Sequence, residues 1–318
     1  MSVLTRGMPI LKPYYFWTGF ALAVGGTLLF SIKSILIKLA YAAGSDADSV
    51  MVLRMLMALP VYAFIACLLW QRNPYKAAEL PGLVWLKLIG LGFLGYFVSS
   101  WLDLMGLELI SAQLERLTLF TYPIMVAILG ALFFKQPLTR KIIFALLLSY
   151  VGIWMIYAQE ASLSGDGVAW GTFLVALAAF SFAFYVLFSR ELIAQVGSLW
   201  FTSWAMIAAC VWVIVYFGVT LDWAAFVLNE RILLWTFLLA IFSTVIPSFM
   251  ISEAIARLGP AQTGIIGSLG PVFTIVLAVW ILAEPFTLPH LFGFALVMIG
   301  VGVLTLKQTK KAGFANKG

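Results

Sequence analysis

Five charged side chains stand inside apolar stretches of this chain: Lys33, Arg54, Asp103, Glu115 and Arg116. An ionised group at the middle of a bilayer costs about 2.5–3.5 kcal/mol unless something compensates it. All but Lys33 are expected near the outer ends of their helices, where the cost is smaller, and such groups are expected to bind a ligand, gate a path, couple an ion, or pair with one another. Glu115 is the candidate coupling or gating acid. The bland alternative is that Asp103 or Glu115 pairs with Arg54 or Arg116 and only locks helices together. Polar residues recur around these charges at helical spacing. The stripes are Thr27, Ser31, Ser34 and Lys38; Tyr96, Ser99 or Ser100, and Asp103; Glu115, Thr118 and Tyr122; Ser181, Tyr185 and Ser189; and Thr244, Ser248 and Ser252. A single hydroxyl in such a stripe is more simply read as cement between helices, at about 0.6 kcal/mol.

Other chemistry finds no support in the residues. No GxxxxGK[ST] stretch is present, so ATP hydrolysis is not expected. His290 is the single histidine, and no metal site or cofactor is expected. Asp46-Ala-Asp48 could hold a cation, but it reads better as a turn that caps the next helix. Cys67 and Cys210 stand alone in apolar runs and read as packing residues.

The elements that must position these residues follow from composition. Of the 318 residues 64% are hydrophobic and 10% charged, and the mean hydropathy is +1.07. Soluble domains carry about 25% charged residues. Runs of about 20 apolar residues suit a helix crossing a hydrocarbon core of about 30 Å. The expected fold is all-α and integral to the membrane, with ten transmembrane helices. They are placed near 16–40, 48–70, 83–104, 111–134, 141–158, 168–189, 199–219, 232–253, 261–282 and 290–306. Basic residues set the orientation. Arg72, Lys76, Lys135, Arg140, Lys141, Arg190 and Arg257 fall on one side with Arg6, Lys12 and the tail lysines, so both termini are expected to be cytoplasmic. The net charge of +6 is then a topology signal, with no nucleic-acid partner implied.

The chain also repeats itself. ERLTLFTYP (115–123) and TGIIGSLGP (263–271) each open an apolar run that ends in a Pro-containing breaker. Pro123 and Pro271, Pro137 and Pro285, Thr139 and Thr287, and Gly152 and Gly300 all differ by 148 positions. Five helices per copy is an odd number, so the copies, 16–158 and 168–306, are expected to be inverted. In that register Glu115 becomes Thr263 and Arg116 becomes Gly264. The row Gly264, Gly267 and Gly270 lies opposite Arg116, Leu119 and Tyr122. It offers either close helix approach or room for a ligand. Pro123 and Pro271 are candidate hinges.

Two five-helix copies, each with a Gln-Pro or Glu-Pro breaker, resemble the EamA-type members of the drug/metabolite transporter superfamily. FSIKSILIKLAY, VLRMLMALP, ERLTLFTYP and GSLGPVFTIVLAVWILAEP carry the resemblance. It implies a cavity lined by the first, third, fourth, sixth, eighth and ninth helices, with the fifth and tenth peripheral. The expected function is secondary transport, and not catalysis. A small polar or amphipathic metabolite, with an amino-acid-like molecule preferred, would be exported across the bacterial inner membrane by alternating access. The expected partners are the lipid bilayer, that substrate, and a proton or counter-substrate; no oligomeric state follows. The binding face is expected around Tyr122, Tyr185, Gly267 and Gly270. A channel-like pore and a membrane enzyme acting on a lipid-linked substrate are the alternatives.

Overall fold

The computed structural model describes residues 13–72, 80–135, 140–164, 167–220, 226–258, 263, 266–267 and 269–315. Among these the chain is helical, with turns and no strand. Helix α1 has two segments, Pro13–Ser31 and Lys33–Ala42, meeting at Ile32. Ala47–Arg72 is α2. Helix α3 runs over Gly82–Leu109 with a wide π turn at Phe93–Val98. Ala112–Leu119 and Tyr122–Phe134 are the two halves of α4. Then follow α5 (Arg140–Ser164), α6 (Gly167–Val196) and α7 (Ser198–Thr220). Helix α8 comprises Glu230–Ala240 and Ile246–Leu258 around a second π turn, Ile241–Val245. Gly270–Ile281 is α9 and Leu288–Ala315 is α10.

Eight of these, α1 to α8, are long and apolar enough to cross a membrane, and Gly270–Ile281 and Leu288–Gly300 are shorter apolar helices. The chain is thus a multi-pass helical membrane protein. The helix over 16–40 was expected to run unbroken and the one over 111–134 to kink at Pro123; both are interrupted. Helix α4 breaks at Phe120–Thr121, just ahead of Pro123, whose missing N–H then falls in a first turn where no intrahelical partner is needed. Pro271 occupies the same first-turn place in α9. Expected ends at 104, 189 and 253 fell short, because apolar and amphipathic turns carry the helices on to Leu109, Val196 and Leu258.

Several features recur at the interval the prolines share. The π turns begin at Phe93 and Ile241, and 241 − 93 = 148. Helices α5 and α10 pack along each other. A Cβ placed on Gly152 would meet the Gly293 carbonyl, and one on Gly300 would meet the Ala145 carbonyl. Since 300 − 152 and 293 − 145 both equal 148, each contact is the counterpart of the other. Only a bare backbone permits that approach. The outer face of α5 presents Ile143, Phe144, Leu147, Tyr150, Val151 and Trp154, all exposed and spaced three or four apart. An exposed apolar stripe of that length suits lipid.

Elsewhere the first segment of α1 packs on the second segment of α8, α3 on α6, and α2 on α7. Several polar-stripe hydroxyls bridge helices. Ser99 donates to the Ala178 carbonyl (2.9 Å) and Ser181 to the Leu94 carbonyl (2.7 Å), which lies in a π turn. Ser248 meets the Tyr62 hydroxyl at 3.0 Å, and Ser252 meets Thr202 at 3.2 Å. The cementing role fits these residues. Asp46 accepts from the Ser49 backbone N–H at 2.9 Å, which makes it the expected cap of α2. Cys67 and Cys210 are free, and Cys210 is buried.

Candidate functional site

Two consecutive residues just past the α1 turn collect the buried acids. Lys33 forms an ion pair with Asp103 of α3. Ser34 donates a 2.6 Å hydrogen bond to Oε2 of Glu115 on α4. Neighbours on a helix point about 100° apart, so one turn of α1 faces α3 and α4 at once. Asp103 and Glu115 are 1% and 0% exposed, whereas the Lys33 side chain keeps 14% of its surface accessible. The remaining oxygens, Oδ1 of Asp103 and Oε1 of Glu115, are buried with no hydrogen-bond partner.

Neither arginine pairs with these acids. The Arg54 side chain is 2% exposed, its Nη2 sits 3.0 Å from the Met51 sulfur, and its Nε has no partner. Arg116 also has a buried, unpartnered Nε, and its Nη2 lies 2.8 Å from where a Cβ on Gly270 would stand. The helix-locking pairs expected with Arg54 or Arg116 are absent among the described residues; Lys33 and Ser34 stand in those places. The space beside Gly270 is therefore taken by Arg116, with Ser31 and Thr27 behind it, while the space beside Gly267 is open. Gly264 lies outside the described residues. Thr118 is buried, and its hydroxyl has no partner.

Both helix interruptions adjoin this centre. The Ser31 hydroxyl lies 2.7 Å from the Thr27 carbonyl and 3.0 Å from the Gly270 carbonyl, and Thr274 donates to the Ser31 carbonyl at 3.1 Å. The end of the first α1 segment is thereby stitched to the start of α9. In α4, Thr121 donates its hydroxyl to the Thr118 carbonyl at 2.7 Å, closing the break. Tyr122 follows, and its ring meets Phe182 of α6 edge-on at 5.1 Å. Phe182 stacks on Tyr185 at 5.6 Å, and Tyr185 donates to the Tyr96 hydroxyl at 3.2 Å. Tyr122 and Tyr185 therefore share one aromatic wall. A Cβ on Gly95 would collide with the Tyr185 ring, so the bare backbone of the π turn is what admits it.

A second polar group gathers at the end of the bundle where α4 starts. Spacing within single helices could not announce it, because its members end helices far apart in sequence. Ser111 caps α4 by accepting from the Leu114 N–H at 3.1 Å. Glu160, near the end of α5, accepts from the Ser111 N–H (2.5 Å) and hydroxyl (2.8 Å). Glu284, between α9 and α10, accepts from the N–H groups of Ala112 (2.8 Å) and Gln113 (3.2 Å). A helix N-terminus has unfilled donors and a positive dipole end, and carboxylates satisfy both. Lys38, Glu108, Gln113, Glu160 and His290 help line a cavity of about 260 Å³ beside this junction. Thr287 lies 2.9 Å from His290 Nδ1. The acid of the Glu284-Pro285 breaker is the residue in the sequence that could have announced this junction.

Known proteins place the chain. The family model for "EamA-like transporter family" matches residues 17–158 and 169–306. An uncharacterized transporter of Bacillus subtilis, YcbK, is 29% identical over 295 residues, covering 90% of this chain and 93% of that protein. Another from the same organism, YetK, is 23% identical over 224 residues, 68% of this chain and 66% of its own. An uncharacterized inner membrane transporter of Salmonella typhimurium, YicL, is 23% identical over 172 residues, 53% of this chain and 55% of its own. A crystal structure of another protein superposes with a TM-score of 0.65 at 15% identity, over 92% of this chain and 98% of that one, and this likeness concerns the fold alone. By its two matched halves, the chain belongs to the EamA-like transporter family.

Proposed function

We propose that this membrane transporter is a secondary exporter of a small polar or amphipathic metabolite, amino-acid-like in chemistry, in the bacterial inner membrane. In this reading α1 to α10 all span the bilayer, 16–158 and 168–306 are inverted copies, and both termini are cytoplasmic. The shared 148-residue interval of the prolines, the π turns and the α5–α10 glycine contacts supports the inverted pair. Relatives named as transporters favour transport over an enzyme.

The observation that carries the proposal is the position of the charge cluster. Lys33, Asp103, Ser34 and Glu115 meet beside the turn in α1 and the break in α4, within apolar helices. Secondary transporters bind where discontinuous helices expose backbone and polar groups at bilayer depth. Arg116 supplies a guanidinium without a carboxylate partner beside Gly270, and Tyr122, six residues on in the same broken helix, opens the Tyr122–Phe182–Tyr185 wall. That arrangement suits a substrate with a polar or anionic end and an apolar body. Bending at Pro123 and Pro271 would exchange the two access states.

The experiment is a comparison of metabolites in medium and cytosol of cells over-expressing the protein, followed by flux in proteoliposomes with the compound identified. Saturable uptake with counterflow is expected. Unsaturable flux with single-channel current would replace the carrier with a pore.

A further inference from the structure

We propose that the cavity beside the start of α4 is a second binding site, for a free small zwitterion that carries a primary ammonium and a carboxylate. It is separate from the binding face beside Gly270 and stands on its own lining, whatever the fate of the transport reading.

The cavity measures about 260 Å³. Drug-sized ligands occupy about 300–1,000 Å³, so the space suits a smaller molecule. Two opposite charges line it without meeting. Lys38 of α1 and Glu108 of α3 both border the cavity, and among the described residues neither belongs to an ion pair. Glu108 accepts from the Ala47 N–H through Oε1 and keeps Oε2. Glu160 also borders the space, but both of its oxygens are taken by the N–H and hydroxyl of Ser111.

Gln113 fixes what a ligand must bring. The side chain lines the cavity at 1% exposure, and its Nε2 donates to the Pro285 carbonyl at 3.2 Å. A carbonyl only accepts, so the amide cannot be turned round. Its Oε1 is left buried with no partner, and a buried acceptor is costly until a donor reaches it. On the α5 side, Gln159 accepts from the Thr287 hydroxyl at 2.6 Å through Oε1, which leaves its NH2 group to donate.

Gln113 Oε1 and Glu108 Oε2 therefore match an ammonium, which only donates. Lys38 and the Gln159 amide match a carboxylate, which only accepts. A plain amine would still face Lys38, and a plain acid would still face Glu108. A zwitterion meets an opposite charge at each end.

The test uses the single histidine of the chain, His290, which lines the same cavity. With selective nitrogen-15 labelling and a histidine-free affinity tag, its ring signals report this site alone. The full chain is placed in phosphatidylglycerol nanodiscs, which hold no lipid ammonium, and titrated with L-alanine. A saturable shift is expected. Ethylamine and propionate, the two halves of the zwitterion, should each need at least tenfold higher concentration. Gln113→Leu and Glu108→Gln should each raise the half-saturating alanine concentration at least tenfold, with gel filtration showing that both are folded. Gly270→Leu, which fills the central face, should keep the shift. No saturable shift with alanine would overturn the proposal, as would an unchanged half-saturation in either cavity variant. Loss of the shift in Gly270→Leu would overturn it too, by placing the ligand at the centre. No flux is read, so a negative result here leaves the transport reading standing.

Discussion

Lys135 and Ala283 both stand in the left-handed region, at φ 52° and 54°, and are the non-glycine residues that do so among those described. The interval is again 148, since 283 − 135 = 148. Each follows an apolar helix at its Pro-containing breaker, so the two copies end that helix with the same backbone device. The turn is imposed by position, because neither residue type prefers it.

Backbone strain at this device is measurable. Ala283→Gly is expected to hold or slightly raise the thermal midpoint in detergent. Ala283→Val should lower stability by about 1–2 kcal/mol, since a β-branched chain resists the left-handed region. Equal losses from Gly and Val would point to side-chain contacts as the cause.

Topology is open to chemical labelling. Cysteines placed at Ser164 and Glu284 are expected to react with an impermeant thiol reagent from outside. One at Gln136, outside the described residues, should react only from the cytoplasm. Equal outside labelling at Gln136 and Glu284 would remove the inverted arrangement.

Glu284 also tests the junction at the start of α4. Glu284→Ala strips the Ala112 and Gln113 N–H groups of their carboxylate and should cost about 0.5–2 kcal/mol, as lost helix caps do. Glu284→Gln keeps an acceptor and should lose less. Thermal midpoints of the three proteins decide it, and an Ala variant as stable as wild type would mean water replaces the bond freely.

The binding face is tested by bulk. Leu at Gly270 must displace Arg116, whose Nη2 lies 2.8 Å from the new Cβ position, whereas a Cβ on Gly302 meets nothing within 4 Å. Gly270→Leu should abolish binding of the identified substrate, and Gly302→Leu should leave it unchanged. Radiolabelled binding and counterflow are the measurements. Normal counterflow in Gly270→Leu would move the site elsewhere.

Glu115→Gln preserves shape and an acceptor for Ser34 but removes the charge. Flux should fall by at least about tenfold, equivalent to about 1.4 kcal/mol, with expression and folding unchanged. A variant that only loses stability, and regains flux when Asp103→Asn is added, would make the acid structural.

Membrane class, the repeat interval and the buried charges were all legible in the residues, because hydropathy and spacing are properties of the chain itself. The stripes put Ser34, Asp103 and Glu115 on polar faces, and ERLTLFTYP marked the helix that later breaks. Pairing was a different matter. Arg54 and Arg116 were the partners the sequence offered for either acid, and only the rotation of α1 against α3 and α4 gave Asp103 to Lys33 and Glu115 to Ser34. Spacing along one helix says which face a residue takes, never which neighbour meets that face. The same holds for Glu284, which reaches Ala112 across 172 positions, and for Gly270, whose expected vacancy is filled by Arg116. Such contacts depend on how helices distant in sequence are rotated and set against one another, and that is decided by tertiary packing alone.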